Sequence, residues 1–99
     1  MNTLATVSMT DPYDKVSECI QFTIDDANNP FVLNDIMTIG QRYTFSLWLM
    51  SAEDASLSAG GDIFVTTNAW NRYSVTFIAE GTDLLLNFGG EGTYYIYHP

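Results

Sequence analysis

Residues 40–50 read GQRYTFSLWLM and carry the clearest strand pattern in the chain. Successive side chains of a β-strand point to opposite faces, so residues two positions apart share a face. One face is apolar throughout, which predicts that it packs into a core. Its members are Tyr43, Phe45, Leu47 and Leu49. The members of the other face are Thr44, Ser46, Trp48 and Met50. The indole on that second face either packs beneath another part of the protein or offers its ring to a ligand.

Runs of the same kind recur along the chain, separated by turn-forming residues, and helical periodicity is weak throughout. They span residues 17–24, 31–33, 55–57, 62–66, 70–78, 83–88 and 93–97. The glycine pairs Gly60-Gly61 and Gly89-Gly90 predict hairpin turns. Seven or eight short strands joined by turns indicate an all-β fold, an antiparallel sandwich or barrel. We expect this domain to cover residues 16–99, with residues 1–15 forming an N-terminal arm or an edge strand.

Acidic residues dominate the charged positions of the 99-residue chain, with twelve Asp and Glu against three Lys and Arg and a net charge of −9. A surface of this sign repels the phosphates of nucleic acids and of anionic lipids. We therefore expect no nucleic-acid partner and no insertion into a membrane. The apolar content of 46% is enough for a packed core and argues against disorder.

The single cysteine, Cys19, excludes a disulfide within the chain and predicts a small buried thiol. The first fifteen residues lack a basic segment followed by an apolar run, so we expect no signal peptide. The chain stops at His98-Pro99, directly after an aromatic strand, and we expect either a fragment of a longer protein or an end that a partner covers. The last strand is apolar on both faces, which suits either the interior of a sheet or a contact with a partner.

Four segments occur in an order that resembles a known family. They are Gly40-x-x-Tyr43-Thr-Phe-Ser46-x-Trp48, Thr67-x-x-Trp70-x-Arg72-Tyr73-x-x-Thr76-Phe77, Asp83-Leu-x-Leu86-x-Phe88 and Gly92-Thr-Tyr-Tyr-Ile-Tyr-x-Pro99. With them, residues 40–99 resemble the jelly-roll domains of the carbohydrate-binding-module type, which have a galactose-binding-like topology, and in particular the versions found in phage tail and other virion proteins. The resemblance implies an antiparallel jelly-roll β-sandwich of about seven to eight strands. Its motifs are more specific for that fold than for any ligand.

The resemblance also implies a structural calcium ion, because modules of this kind often hold one near the edge of the sandwich. Calcium prefers carboxylate, amide and carbonyl oxygens. Asp25, Asp26 and Asn28 supply such oxygens within one short loop, and Asp11 and Asp14 supply more. The Asp-x-Asp-x-Asp-Gly run of an EF-hand is absent from the sequence. The resemblance and these clustered oxygens together predict calcium in the 25–29 loop. We expect no other cofactor.

Residues suited to catalysis are sparse. The only histidine, His98, is next to the last residue, so a Ser-His-Asp or Cys-His arrangement would depend on the chain end. Adjacent carboxylates occur at 25–26 and 53–54, and carboxylate pairs are what glycoside hydrolysis needs. Both pairs lie in turn-rich loops, which predicts solvated acids. We therefore expect a protein without enzymatic activity.

Carbohydrate binding requires aromatic faces beside hydrogen-bonding groups. Trp48, close to Ser46, is the best candidate for a stacking platform, with Tyr95 and Tyr97 of the last strand as neighbours. The alternative is that neighbouring strands or a subunit cover the Trp48 ring. Trp70 opens its strand at a turn and is more typical of a packing anchor.

Two functions from different classes follow from these observations. The first is a structural or interaction domain of a phage virion, such as a decoration, neck or tail-associated module on the outer surface. Its partners would be other virion proteins or further copies of itself, with weak adsorption to cell-surface glycans as an addition. The second is a carbohydrate-binding module of a secreted, extracellular glycan-active protein. The exposure of Trp48, Tyr95 and Tyr97 in the folded protein discriminates between the two.

Overall fold

Nine β-strands make up the computed structural model, which describes residues 2–97 and contains no helix in that range. In chain order the strands are β1 (Thr3–Thr10), β2 (Val16–Ile24), β3 (Phe31–Leu33), β4 (Arg42–Ser51), β5 (Ala55–Ala59), β6 (Asp62–Thr66), β7 (Asn71–Ile78), β8 (Leu84–Phe88) and β9 (Gly92–Tyr97). The prediction of an all-β protein is confirmed. Within residues 2–97 there is accordingly no helix that could cross a membrane. The expectations for His98 and for the end of the chain concern residues outside this range.

The strands form two antiparallel sheets that pack face to face as a sandwich. The five-stranded sheet has the order β1-β2-β9-β4-β7, and the four-stranded sheet has the order β3-β8-β5-β6. At one edge, β1 pairs with β2 along its whole length, from Thr3 opposite Thr23 to Thr10 opposite Val16. β9 lies between β2 and β4, so the apolar last strand is interior to a sheet.

The core lies between the two sheets, on the faces that strand alternation predicts. In β4, Leu47 and Leu49 are fully buried, and Phe45 packs against them from a half-buried position. The predicted apolar face of this strand is therefore confirmed for these three residues, whereas Tyr43 is half-buried and contacts the ring of Phe77. An aromatic cluster fills the neighbouring part of the core with ring centroids 4.5–6.2 Å apart. Its members are Phe22, Phe31, Phe88 and Tyr94.

The two glycine pairs have different roles. Gly60 and Gly61 join β5 to β6 in a two-residue hairpin, and both have positive φ, +60° and +86°, which residues with a Cβ rarely adopt. That prediction is confirmed. The prediction of a hairpin at Gly89-Gly90 is wrong, because β8 and β9 belong to different sheets and this pair carries the chain from one sheet to the other.

Two truncations of equal size test which face of a strand is buried. Leu49→Ala empties a fully buried site and should lower the free energy of unfolding by about 2–5 kcal/mol. Ile63→Ala, at an exposed position of β6, should change it by less than about 0.5 kcal/mol. Urea denaturation followed by circular dichroism measures both values. Equal losses in the two variants would contradict the assignment of the faces.

Candidate functional site

Trp48 lies on the outer face of the five-stranded sheet, opposite Tyr97 in β9 and Arg72 in β7. Two positions further along β4, Met50 lies opposite Tyr95. Alternation therefore brings all the residues predicted for carbohydrate binding to one face of the sheet. These residues, called the aromatic face below, are Ser46, Trp48, Tyr95 and Tyr97. Each of their side chains is half-buried, so they do not form a fully open platform.

Tyr13 covers part of the aromatic face from within the same chain. It belongs to residues 11–15, the hairpin loop between β1 and β2. Its ring meets the indole of Trp48 edge-on at a centroid distance of 5.8 Å, and it meets the ring of Tyr97 at 6.1 Å. Edge-to-face contacts of this kind are favourable beyond the apolar area that they bury. This contact could not be predicted, because a strand pattern does not show which loop folds over the outer face of the strand.

Arg72 engages the aromatic face from the other side. Its guanidinium carbon lies 5.9 Å from the centroid of the Trp48 ring, which is within cation–π range. Its Nη2 donates a hydrogen bond to Ser46 Oγ at 3.1 Å. The ring and the hydroxyl that would contact a sugar therefore both have partners within the chain.

One polar group of the aromatic face has no such partner. Among the described residues, Trp48 Nε1 is buried and makes no hydrogen bond. A buried donor left without an acceptor costs about 1–3 kcal/mol. A ligand oxygen that reached Nε1 would remove this cost. The indole N–H is therefore the feature of this face that still favours a ligand.

The carboxylate of Asp11 fixes the hairpin loop over the sheet. Its Oδ1 accepts hydrogen bonds from the backbone N–H groups of Tyr13 and Lys15 at 2.8 and 3.1 Å, and its Oδ2 accepts one from Ser17 Oγ at 2.6 Å. The pKa of Asp11 is lowered below its ordinary value, mainly by the hydrogen bond from the Ser17 hydroxyl. The two N–H groups and the charge of Lys15 act in the same direction, whereas burial opposes them. The loop is thus built around an ionised carboxylate.

Two more side chains secure this region. Trp70 donates Nε1–H to the carbonyl oxygen of Thr10 at 3.0 Å, which anchors the end of β1 close to the start of β7. Cys19 lies opposite Val7 and is buried, as predicted. Burial raises the pKa of its thiol, and the negative charge of Asp11 raises it further. A buried thiol of this kind is protonated and unreactive at neutral pH.

The loop predicted to bind calcium is organised by the side chain of Asn2. Its Oδ1 accepts the backbone N–H groups of Asp25 and Asp26, and its Nδ2 donates to the carbonyl oxygens of Asp26 and Asn29, all at 2.9 Å. The Asp26 carboxylate accepts hydrogen bonds from Asn28 and Asn29. Within residues 2–97, no group of three or more His, Cys, Asp or Glu side chains is placed to hold a metal ion. A calcium site at Asp25, Asp26 and Asn28 therefore stays a prediction, and the Asp26 carboxylate that would contribute to it already accepts two hydrogen bonds.

Two cavities lie at opposite ends of the sandwich. One, of about 540 Å³, is bordered by the β5–β6 hairpin and combines apolar and acidic lining. That lining includes Met37, Phe77, Leu84, Glu80 and Asp83. The other, of about 340 Å³, is lined by Glu53, Asp54, Glu91 and the surrounding glycines. Glu53 and Asp54 are exposed, which confirms the prediction that they are solvated.

Replacing Asp11 tests its role in the hairpin loop. Because its pKa in the folded protein is lowered, the carboxylate contributes stability that is complete above the unfolded value of 3.8 and is lost as pH falls through the folded value. Asp11→Asn should therefore lower the melting temperature at pH 7, and the gap to the wild type should narrow at acidic pH. Asp54→Asn, in an exposed loop, is the control and should leave the melting temperature unchanged at pH 7. A gap that stays constant down to acidic pH would contradict this role.

Calcium dependence is tested by adding the ion to chelator-treated protein. Since protein donors already occupy both carboxylate oxygens of Asp26 and the carbonyl oxygens of Asp26 and Asn29, we expect millimolar calcium to leave the melting temperature unchanged. Asn2→Ala removes the hydrogen bonds that organise the loop and should cost about 1–3 kcal/mol of stability. A calcium-dependent rise in melting temperature that Asp25→Asn abolishes would confirm the calcium prediction.

Comparison with known proteins adds no assignment to this geometry. A scan against protein-family models found no match, and a search of curated proteins found no significant match.

Proposed function

We propose that this chain is a non-catalytic interaction domain of a larger assembly, and that the assembly is the phage virion implied by the resemblance. The observation that carries the proposal is the outer face of the four-stranded sheet, called the uncharged face below. Its members are Val32, Ser56, Ser58, Ile63, Val65, Leu85 and Asn87. None of them is charged, and the four aliphatic side chains are each 41–66% exposed.

Such a face contrasts with a chain whose net charge is −9. The cores of protein–protein interfaces are depleted of charged residues, and exposed apolar patches with polar surroundings commonly mark contact sites. Ile63 and Val65 both project from the edge strand β6, and each has nearly two-thirds of its surface exposed. The uncharged face therefore has the composition of a protein contact. The proposed partners are other virion proteins.

The strand order supports the jelly-roll part of the resemblance. Apart from β1, the sheets have the orders β2-β9-β4-β7 and β3-β8-β5-β6, so that most consecutive strands alternate between the two sheets. This is the arrangement expected of eight strands in two Greek keys. Viral capsid domains and lectins both use such folds, so the proposed location on the virion surface depends on the surfaces of this chain and not on its fold.

The contacts of Trp48 favour an assembly role over glycan binding. Stacking on a sugar requires an open aromatic face, whereas Tyr13 and Arg72 already contact this indole. A carbohydrate-binding module of an extracellular protein is the second candidate. It is favoured by the common face of Trp48, Tyr95 and Tyr97 and by the unpartnered Nε1. Weak glycan adsorption by a virion domain would use the same aromatic face, and neither role calls for a catalytic group, a nucleic acid or a membrane.

Incorporation into particles tests the first proposal. Phage particles produced from the genome that encodes the chain are purified on a density gradient and probed with an antibody. The chain should be found with the particles. The double variant Ile63→Lys/Val65→Lys, which charges the uncharged face, should be lost from them by about tenfold or more. The control Ser74→Lys/Thr76→Lys adds the same charges at two exposed positions, two residues apart on the edge strand β7, and should be retained.

Absence of the chain from particles, or equal retention of both double variants, would overturn the proposal.

Electrophoresis through polysaccharide gels tests the second candidate with the purified chain. Retardation of the wild type that Trp48→Ala abolishes would favour a carbohydrate-binding module. We expect no retardation, because the indole is covered.

A further inference from the structure

The free edge of β1 lacks the features that normally protect an edge strand. β1 is the outermost strand of the five-stranded sheet, and its eight residues, TLATVSMT, include no charge, proline or glycine. Its pairing with β2 is continuous, without a bulge. Exposed edges present unpaired N–H and C=O groups to other chains, and proteins usually block them with charges, prolines or bulges. β1 therefore presents an open edge, except at Thr10, where the carbonyl oxygen accepts a hydrogen bond from Trp70 Nε1.

The other edges of the two described sheets differ from β1. β7 carries Arg72, β6 begins with Asp62, and β3 has only three residues. Side chains also close the sandwich between β6 and β7. The Tyr73 hydroxyl donates to the carbonyl oxygen of Val65, and the Tyr73 ring stacks on Phe64 at 5.1 Å. Among these edges, β1 alone is both long and uncharged.

Apolar side chains accompany this edge on the core side of the sheet. Leu4 is opposite Phe22 and Ile20 is opposite Ile96, so both share the face that carries the core. Phe22 and Ile96 are buried, whereas 54% of Leu4 and 36% of Ile20 are exposed. The cause is that five strands face four, which leaves the outermost strand without full cover.

We infer that β1 is a self-association edge, which pairs antiparallel with β1 of a second copy and joins the two five-stranded sheets. Backbone hydrogen bonds provide the contact in such strand addition. Two identical antiparallel strands also have the two-fold symmetry of most protein dimers. Both cores stay on the same side of the joined sheet only if even-numbered residues of one β1 oppose even-numbered residues of the other. The longest pairings of this kind place the two-fold axis of the dimer at Thr6 or at Val7.

The absence of charge along β1 and the symmetry of the pairing favour a second copy as the occupant. Each copy carries −9, so two copies repel wherever their carboxylates face each other. In either register, the residues of β1 that oppose each other are all uncharged. The paired edge is about 23 Å long for seven residues, which makes a small interface. The dimer is therefore concentration-dependent, and added salt strengthens it by screening the net repulsion.

Analytical ultracentrifugation of the purified chain tests this edge. Over a tenfold rise in protein concentration the wild type should shift from monomer towards dimer, and it should shift further at high salt. Ala5→Lys charges the exposed outer face of β1 and should weaken self-association about tenfold. Ser74→Lys is the matched control, because it makes the same charge change at an exposed outer-face position of β7. It should retain self-association.

Crosslinking gives a second readout that does not depend on a lysine being tolerated. Thr6→Cys and Val7→Cys each place a thiol near the proposed axis. Both are made in a Cys19→Ser background, because Cys19 lies opposite Val7 and would compete for a thiol there. One of the two variants should form a disulfide-linked dimer with a mild added oxidant, and Ser74→Cys should not. A monomer at every concentration and salt, without a crosslink at either position, overturns the inference. A dimer that Ala5→Lys leaves unchanged also overturns it. Particle incorporation involves a different face, so its failure is distinguishable from this one.

Discussion

The position of β4 inside the five-stranded sheet is the constraint on which the rest of the structure depends. With β7 on one side and β9 on the other, each of its side chains points either into the core or out of the sandwich. Leu47 and Leu49 point inward, so Trp48 between them must point outward. A large indole on an outer face needs cover of its own, and Tyr13 and Arg72 provide it. The sandwich therefore has a second, smaller packed layer outside this sheet, held in place by the Asp11 carboxylate.

Local alternation explains how much of the fold could be predicted. Each strand expected from residue 17 onward has a counterpart, and the buried face of β4 follows from its pattern alone. Contacts between distant segments explain the rest. The cover of Trp48 by Tyr13 and the place of Asn2 in the 25–29 loop depend on which strands are neighbours, and a single tyrosine or asparagine does not encode that. The prediction of a hairpin at Gly89-Gly90 is wrong for the same reason, since a glycine pair turns the chain equally well within a sheet or between sheets.

The distribution of charge links the two proposed contact surfaces. The acids that give the chain its net charge of −9 lie mostly in loops and turns, at the hairpin loop, the 25–29 loop and the loops beside the cavities. The uncharged face and β1 lie instead on regular strands, where alternation keeps neighbouring side chains at fixed positions. Repulsion from the loops makes other approaches unfavourable. The negative charges in the loops can thus select the orientation in which another molecule docks, although they lie outside the contact itself.

The N-terminal hairpin, β1 to β2, also gives the molecule an optical property. The chain has two tryptophans, and both contact this hairpin: Trp48 packs against Tyr13, and Trp70 donates to the Thr10 carbonyl. The hydrophobic cluster between the sheets, as far as residues 2–97 describe it, is built from other side chains. Intrinsic fluorescence therefore reports the docking of the hairpin, whereas far-ultraviolet circular dichroism reports the strands as a whole. Local opening of the outer layer would be visible as a separation of these two signals, without any label added to the protein.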